Sequence, residues 1–132
     1  METPIDCPAA LAEWLTAQGR DAVPAPVPDD LVSRLPLTVL RGSGGTRDRP
    51  VLDRHRVGVD TYGETVGDAL AESHLVYAAL DTINYTHPAI GGVQSYSFSS
   101  GGLPQEATDP EHPDAPMATF LAEVATRAHH TD

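Results

Sequence analysis

The side chains able to do chemistry are few and far apart. Cys7 is the only cysteine; as a nucleophile it would need a base beside it, and no histidine lies close in sequence. It falls instead on the first turn of an expected helix, where it reads as a small packing residue. His55, His74, His87, His112, His129 and His130 could ligate a metal. None pairs with another at the i, i+4 spacing, with a glutamate between, that a zincin helix uses, and no Cys/His spacing resembles a zinc site. His55 lands on an apolar strand face as a core or interface histidine, and His129 and His130 sit at the terminus. The run Gly42-Ser43-Gly44-Gly45, close to Arg47 and Arg49, could cradle an anion on bare amides. A P-loop, however, needs Lys-Ser/Thr after its last glycine and a helix next, whereas a strand is expected here. There is no Gly-x-Ser-x-Gly elbow, and the carboxylate pairs Glu64 with Asp68 and Asp109 with Glu111 fall on a solvated helix and in a loop. The expectation is a protein that is not an enzyme, with no catalytic residue, no cofactor and no metal.

The elements that would have to position such groups are short. A chain of 132 residues, 40% hydrophobic, can bury one core, and a single domain over residues 1–132 is expected. Twelve prolines and eleven glycines cluster between the periodic segments, which predicts ordered turns rather than a long helical bundle. One cysteine rules out an intramolecular disulfide. Residues Met1 to Asp6 are acidic and lead into no long apolar run, so neither a signal peptide nor a membrane span is expected, and assembly in the cytoplasm is.

Residues 6–18 read as a helix, capped by Asp6 with Pro8 in its first turn, carrying Leu11, Trp14 and Leu15 on one face and stopping at Gly19. The prolines at 24, 26 and 28 make residues 21–28 a stiff connector unfit for helix or ladder. Strands are predicted at 37–41 and 51–61, with Val51, His55, Val57, Val59 and Thr61 on one face and residues 42–49 as a long, mobile, basic hairpin tip. Thr65 and Asp68 form a capping box before a helix over 66–82, which carries an apolar stripe and shows Asp68, Glu72 and Asp81 outward. A further strand is expected at 92–99, with Tyr96 and Phe98 opposite Val93, then an irregular acidic stretch over 101–116. The last segment, 117–130, fits helix by propensity and strand by alternation equally well.

Charge is distributed unevenly. Of a net −11, residues 34–56 carry six arginines (Arg34, Arg41, Arg47, Arg49, Arg54, Arg56) against Asp48 and Asp53, a balance of +4. The remainder of the chain is left at −15. This pattern disfavours general nucleic-acid binding and suits a subunit whose two surfaces attract copies of each other.

The passage from Leu35-Pro36 through Arg41 and Gly44-Gly45, and the strand-to-helix passage from Val57 to Gly63, resemble the tail terminator proteins of long-tailed bacteriophages, particularly those infecting actinobacteria. Gly102 to Pro104 and on to Asp109-Pro110 is similar to that family's loop before a last strand ending in a basic residue, here Arg127. The resemblance covers roughly residues 6–128. It implies an α+β fold, a mixed and mainly antiparallel sheet with helices packed on one face, in which residues 117–127 are a strand.

The implied role is structural. A hexameric ring would cap the tail tube at its head-proximal end, stop polymerisation and join the tail to the head. Its partners would be other copies of the chain, the tail tube protein and head completion or connector proteins, with genomic DNA sliding through an acidic lumen without specific binding. Within such a ring, Arg41, Arg47 and Arg49 of the hairpin are expected to face Asp68 or Glu72 of a neighbour. Two alternatives remain at this stage, a connector protein of the phage neck and a small-molecule binding module using the face around His55.

Overall fold

The computed structural model describes residues 1–132. Helix α1 spans Cys7–Ala17, where the Asp6 carboxylate accepts from the Ala9 amide at 3.4 Å and Gly19, at φ +87°, takes the left-handed turn that ends it. Helix α2 spans Val66–Asp81, and the Thr65 hydroxyl accepts from the Asp68 amide at 3.0 Å. It buries Ala69, Ser73, Val76 and Leu80 at i, i+3/i+4 spacing and is followed by a single turn, α3, at Ile83–Thr86. No helix is long and apolar enough to cross a membrane.

The strands are β1 (Glu2–Thr3), β2 (Ala22–Pro24), β3 (Leu37–Arg49), β4 (Leu52–Tyr62), β5 (Ala89–Ile90), β6 (Val93–Ser100), β7 (Gln105–Ala107), β8 (Met117–Arg127) and β9 (His129–His130). The main sheet runs β2-β3-β4-β8-β6-β5, with β7 beside the first residues of β8; only β2 is parallel to its neighbour. The result is the expected α+β fold with a mixed, mainly antiparallel sheet. Segment 117–127, ambiguous by pattern, is the strand the family resemblance implied. It pairs with β4 along its whole length, from Leu52 against Arg127 to Tyr62 against Met117.

Alternation divides the sheet into two faces. On one, Leu40, Val57, Val59, Phe98, Phe120, Ala122 and Val124 pack against Leu11 and Leu15 of α1 and Val76 and Leu80 of α2. Tyr77 meets Phe98 and Phe120 edge-on there, both at 5.3 Å between ring centroids. The other face has no α-helix. At one end of it Leu37, Val39, Tyr62 and Met117 form a second small core with Leu31, covered by a 3-10 turn at Leu31–Arg34 and by the chain around Ala107 and Ala115.

Three local expectations are corrected. Residues 42–49 are not a loop: β3 continues through them to Arg49, leaving only Pro50-Val51 as the turn. Register shifts between Gly42 and Gly45 and between Arg47 and Arg49 absorb the irregularity. The glycines act as bulge residues, and a Cβ on Gly45 (φ +150°) would lie 2.0 Å from the Arg54 carbonyl oxygen, so only glycine lets the strands close here. Secondly, part of the proline connector does join the ladder. The Thr38 amide donates to Asp21 and the Ala25 amide to Leu40, at 3.0 and 2.8 Å, so odd-numbered residues face β3 and the amide-less Pro24 faces outward at an edge. Finally, a bulge between Ser95 and Ser97 resets the alternation of β6, so Phe98 is buried on the same side as Val93 and Ser95 and Tyr96 is exposed.

Candidate assembly surfaces

The β3–β4 hairpin carries Arg47 and Arg49 at its turn end and Arg41 midway, while its other end leads into α2, which carries Asp68 and Glu72. At an extended rise of about 3.3 Å per residue, the eleven residues of β4 separate its ends by roughly 35 Å.

One end is the Pro50-Val51 turn. Arg47 binds Asp53 through Nε and Nη2 and also donates from Nη1 to the Glu2 carbonyl at 3.2 Å. That guanidinium holds the Asp53 carboxyl below the usual carboxylate range. Arg54 lies between Asp48 and Glu123. Arg49 is exposed and makes no ion pair, as does Arg127, which stands opposite Leu52 beside the turn. The termini close over this end, with β1 paired to β9 and His130 bonded to Glu2 at 2.7 Å, which raises the His130 pKa.

Behind the turn lies His55. Its Nε2 meets the Thr126 hydroxyl at 3.0 Å, and that hydroxyl donates in turn to the Arg127 carbonyl, so the imidazole acts as the donor. Burial lowers its pKa, offset in part by Asp53. This is the satisfied histidine the strand pattern suggested.

The opposite end begins where β4 meets α2. Gly63 packs so closely on α2 that a Cβ there would lie 2.6 Å from the Ala69 amide nitrogen. Tyr62, fully buried, donates its hydroxyl to Asp109 at 2.8 Å, and His112 contacts the same carboxylate oxygen at 2.9 Å. Burial and the bond to Asp109 raise the Tyr62 pKa. Burial alone would raise the Asp109 pKa, but the bonds from Tyr62, the Glu111 amide and His112 outweigh it and lower it. This triad straps the 107–116 segment onto the sheet.

Between that strap and the 3-10 turn lies a groove of about 580 Å³ with Leu31, Val32 and Leu35 on its apolar side. Asp29, Glu64, Glu111 and Asp114 line it, and none of the four makes an ion pair. A second, smaller hollow of about 340 Å³ shares Leu35 and Glu64 and extends along α2 to Asp68, Glu72 and Leu75. Val32 and Leu75 are 82% and 52% exposed, large apolar side chains set among unpaired carboxylates.

The five residues expected at an interface are thus distributed over three places. Arg47 and Arg49 are at the turn, Asp68 and Glu72 at the acidic end. Arg41 lies midway on the helix-free face, over Gly58 and bonded to Asp60 at 2.7 Å; the Thr119 hydroxyl donates to that carboxylate as well. Arg41, Arg47 and Glu72 are committed within the subunit, Glu72 to Arg20 at 3.1 Å with burial raising its pKa. Arg49 and Asp68 have no such partner. Missed from sequence were Asp29, Val32, Glu111 and Asp114. Their signal was the similar composition of two distant acidic, proline-flanked turns, Pro28-Asp29-Asp30 and Asp109 to Asp114.

Cys7 is buried in the main core, and its thiol is pushed up to about 12 by loss of solvent, which makes it a packing residue rather than a nucleophile.

No protein-family model matches the sequence, and no curated protein does. Among solved structures, the chain is similar to one from the virion of a native gene transfer agent particle, at a TM-score of 0.55 and 13% identity over 90% of this chain and 85% of that one. At that identity the likeness is one of fold.

Proposed function

We propose that this protein is a structural component of a phage-like virion, a tail terminator whose copies form a hexameric ring. The ring caps the head-proximal end of the tail tube, stops its polymerisation and presents a surface to the head completion proteins. The observation that carries this reading is the likeness in fold, over nearly the whole chain, to a protein of the gene transfer agent virion. It is supported by the surface chemistry. The two hairpin ends are unlike, and a cyclic assembly joins two different surfaces of each subunit head to tail. At −11 per copy, a ring whose acidic faces turn inward would let a DNA backbone pass without adhering. Contacts from Arg49 of one subunit towards the Asp68 side of the next belong to the same reading, since both side chains lack partners of their own.

Deletion of the coding sequence from the producing genome, followed by electron microscopy of the particles, tests the proposal. Tails of uncontrolled length, without heads, are the expected outcome. Normal joined particles would overturn it, and tails of correct length lacking heads together with unplugged heads would point to the neck connector instead.

A further inference from the structure

We propose that the apolar and acidic groove formed by residues 28–35, 63–64 and 111–116 is the receptor for the Pro50-Val51 turn of a second copy of this chain. The inference deepens the ring reading by naming the two surfaces that meet, and it rests on that reading only for the premise that copies associate.

The groove is about 580 Å³, with exposed Val32 and half-buried Leu35 on its apolar side and four carboxylates, Asp29, Glu64, Glu111 and Asp114, none of which is in an ion pair. An occupant of matching chemistry must bring a small apolar wedge flanked by cations. The turn fits that description: Pro50 is exposed, Val51 is half-exposed, and the two arginines beside them, Arg49 and Arg127, are exposed and unpaired. Of the other hairpin cations, Arg41, Arg47 and Arg54 are already satisfied by Asp60, by Asp53 and by Asp48 with Glu123, so they add little net attraction, and Arg56, exposed and also without an ion pair, stands farther along β4 from the turn.

Within one subunit the two surfaces can never meet, because they occupy opposite ends of β4, roughly 35 Å apart. Each copy therefore offers one turn and one groove. Such a contact is heterologous: it propagates from copy to copy and closes into a ring when the rotation per contact allows. Two features make the turn a usable wedge. It is only two residues long, and the glycine bulges at Gly44-Gly45 lock the register of the strands that carry it. Complementary charge then sets orientation and encounter rate, while the apolar contact excludes water from the pairs.

The test is a cross-link across the proposed contact. In the full chain, Val32→Cys and Pro50→Cys place thiols on exposed positions of the groove and the turn, and the native Cys7 is buried. Under mild oxidation the double variant is expected to give a ladder of reducible oligomers. An equimolar mixture of the two single variants is expected to stop at the 1:1 dimer, since each supplies one competent thiol. Charge exchange provides the second arm. Arg49→Glu should weaken association by about tenfold or more, and adding Glu111→Arg should restore it.

A double variant that stays monomeric under oxidation, while the wild-type chain still assembles, would overturn this contact and leave the ring reading standing. Wild-type chain that assembles neither alone nor on tail tubes would remove both. Dimers from either single variant alone, at the yield of the double variant, would point to a two-fold contact and likewise overturn the inference.

Discussion

At the Tyr62 end of the hairpin the sheet is finished by burial. A fully enclosed tyrosine, a second core and a strap tied by Asp109 close it off. At the Pro50 end it is finished by charge, with arginines donating to aspartates beside a β3 that is open to solvent, Asp53 of β4 alone among those carboxylates being buried. The two solutions differ in energy. Burial of large side chains contributes several kcal/mol per site, whereas exposed ion pairs contribute about 0–1 kcal/mol each. Stability is thus concentrated at the groove end, while the turn end is defined by backbone geometry and remains available for contact.

Substitutions should expose that asymmetry in order. Tyr62→Ala is expected to cost about 3–5 kcal/mol in urea unfolding, as for other large buried aromatic side chains. Tyr62→Phe, which removes only the bond to Asp109, should cost about 1.5–3 kcal/mol. At the other end Gly45→Ala should cost more than about 1 kcal/mol, because its Cβ collides with a backbone carbonyl that cannot swing away. Its hydrogen-exchange signature should be confined to β3 and β4 near the turn. Arg54→Ala, which removes two solvent-exposed pairs, should change stability by less than about 1 kcal/mol, and less still at high salt.

Acid should separate the two ends as well. His55 has a depressed folded pKa, so the unfolded chain takes up its proton first, and its contribution is lost as the pH falls below the ordinary 6.5. Asp109 also has a depressed folded pKa; its contribution is present above the ordinary 3.8 and is lost as the pH falls through the folded value below that. Hydrogen exchange followed by pH should therefore show loosening around the turn as the pH falls below the ordinary 6.5 of His55, while the strap stays intact until the pH falls below the ordinary 3.8 of Asp109. His55→Gln should abolish the first phase and leave the second.

Much of this architecture is legible in the sequence where a side chain has a local task. Asp6 and Thr65 announce their helices because capping is settled within three residues. The errors come where a distant partner decides. Gly42 to Gly45 reads as a loop because glycine is a poor strand former, yet pairing with Arg54 and His55 holds it in the sheet. The Met117–Arg127 segment suits helix or strand equally, and β4 on one side with β6 on the other makes it a strand. The candidate surfaces follow the same rule. Arg49 and Asp68 stand out by charge alone, but Glu72 also stands out and turns out to be committed to Arg20, 52 positions away. The groove is assembled from three segments that no local pattern joins.

The proposed role is that of a ring that copies of this chain close on one end of a tail tube. Its most direct test is electron microscopy of purified tail tubes incubated with gold-labelled chain at a surface position away from both hairpin ends. Label is expected at one end of each tube, as a discrete cap of several copies. Tubes with bare ends, or label scattered along the shaft, would contradict it.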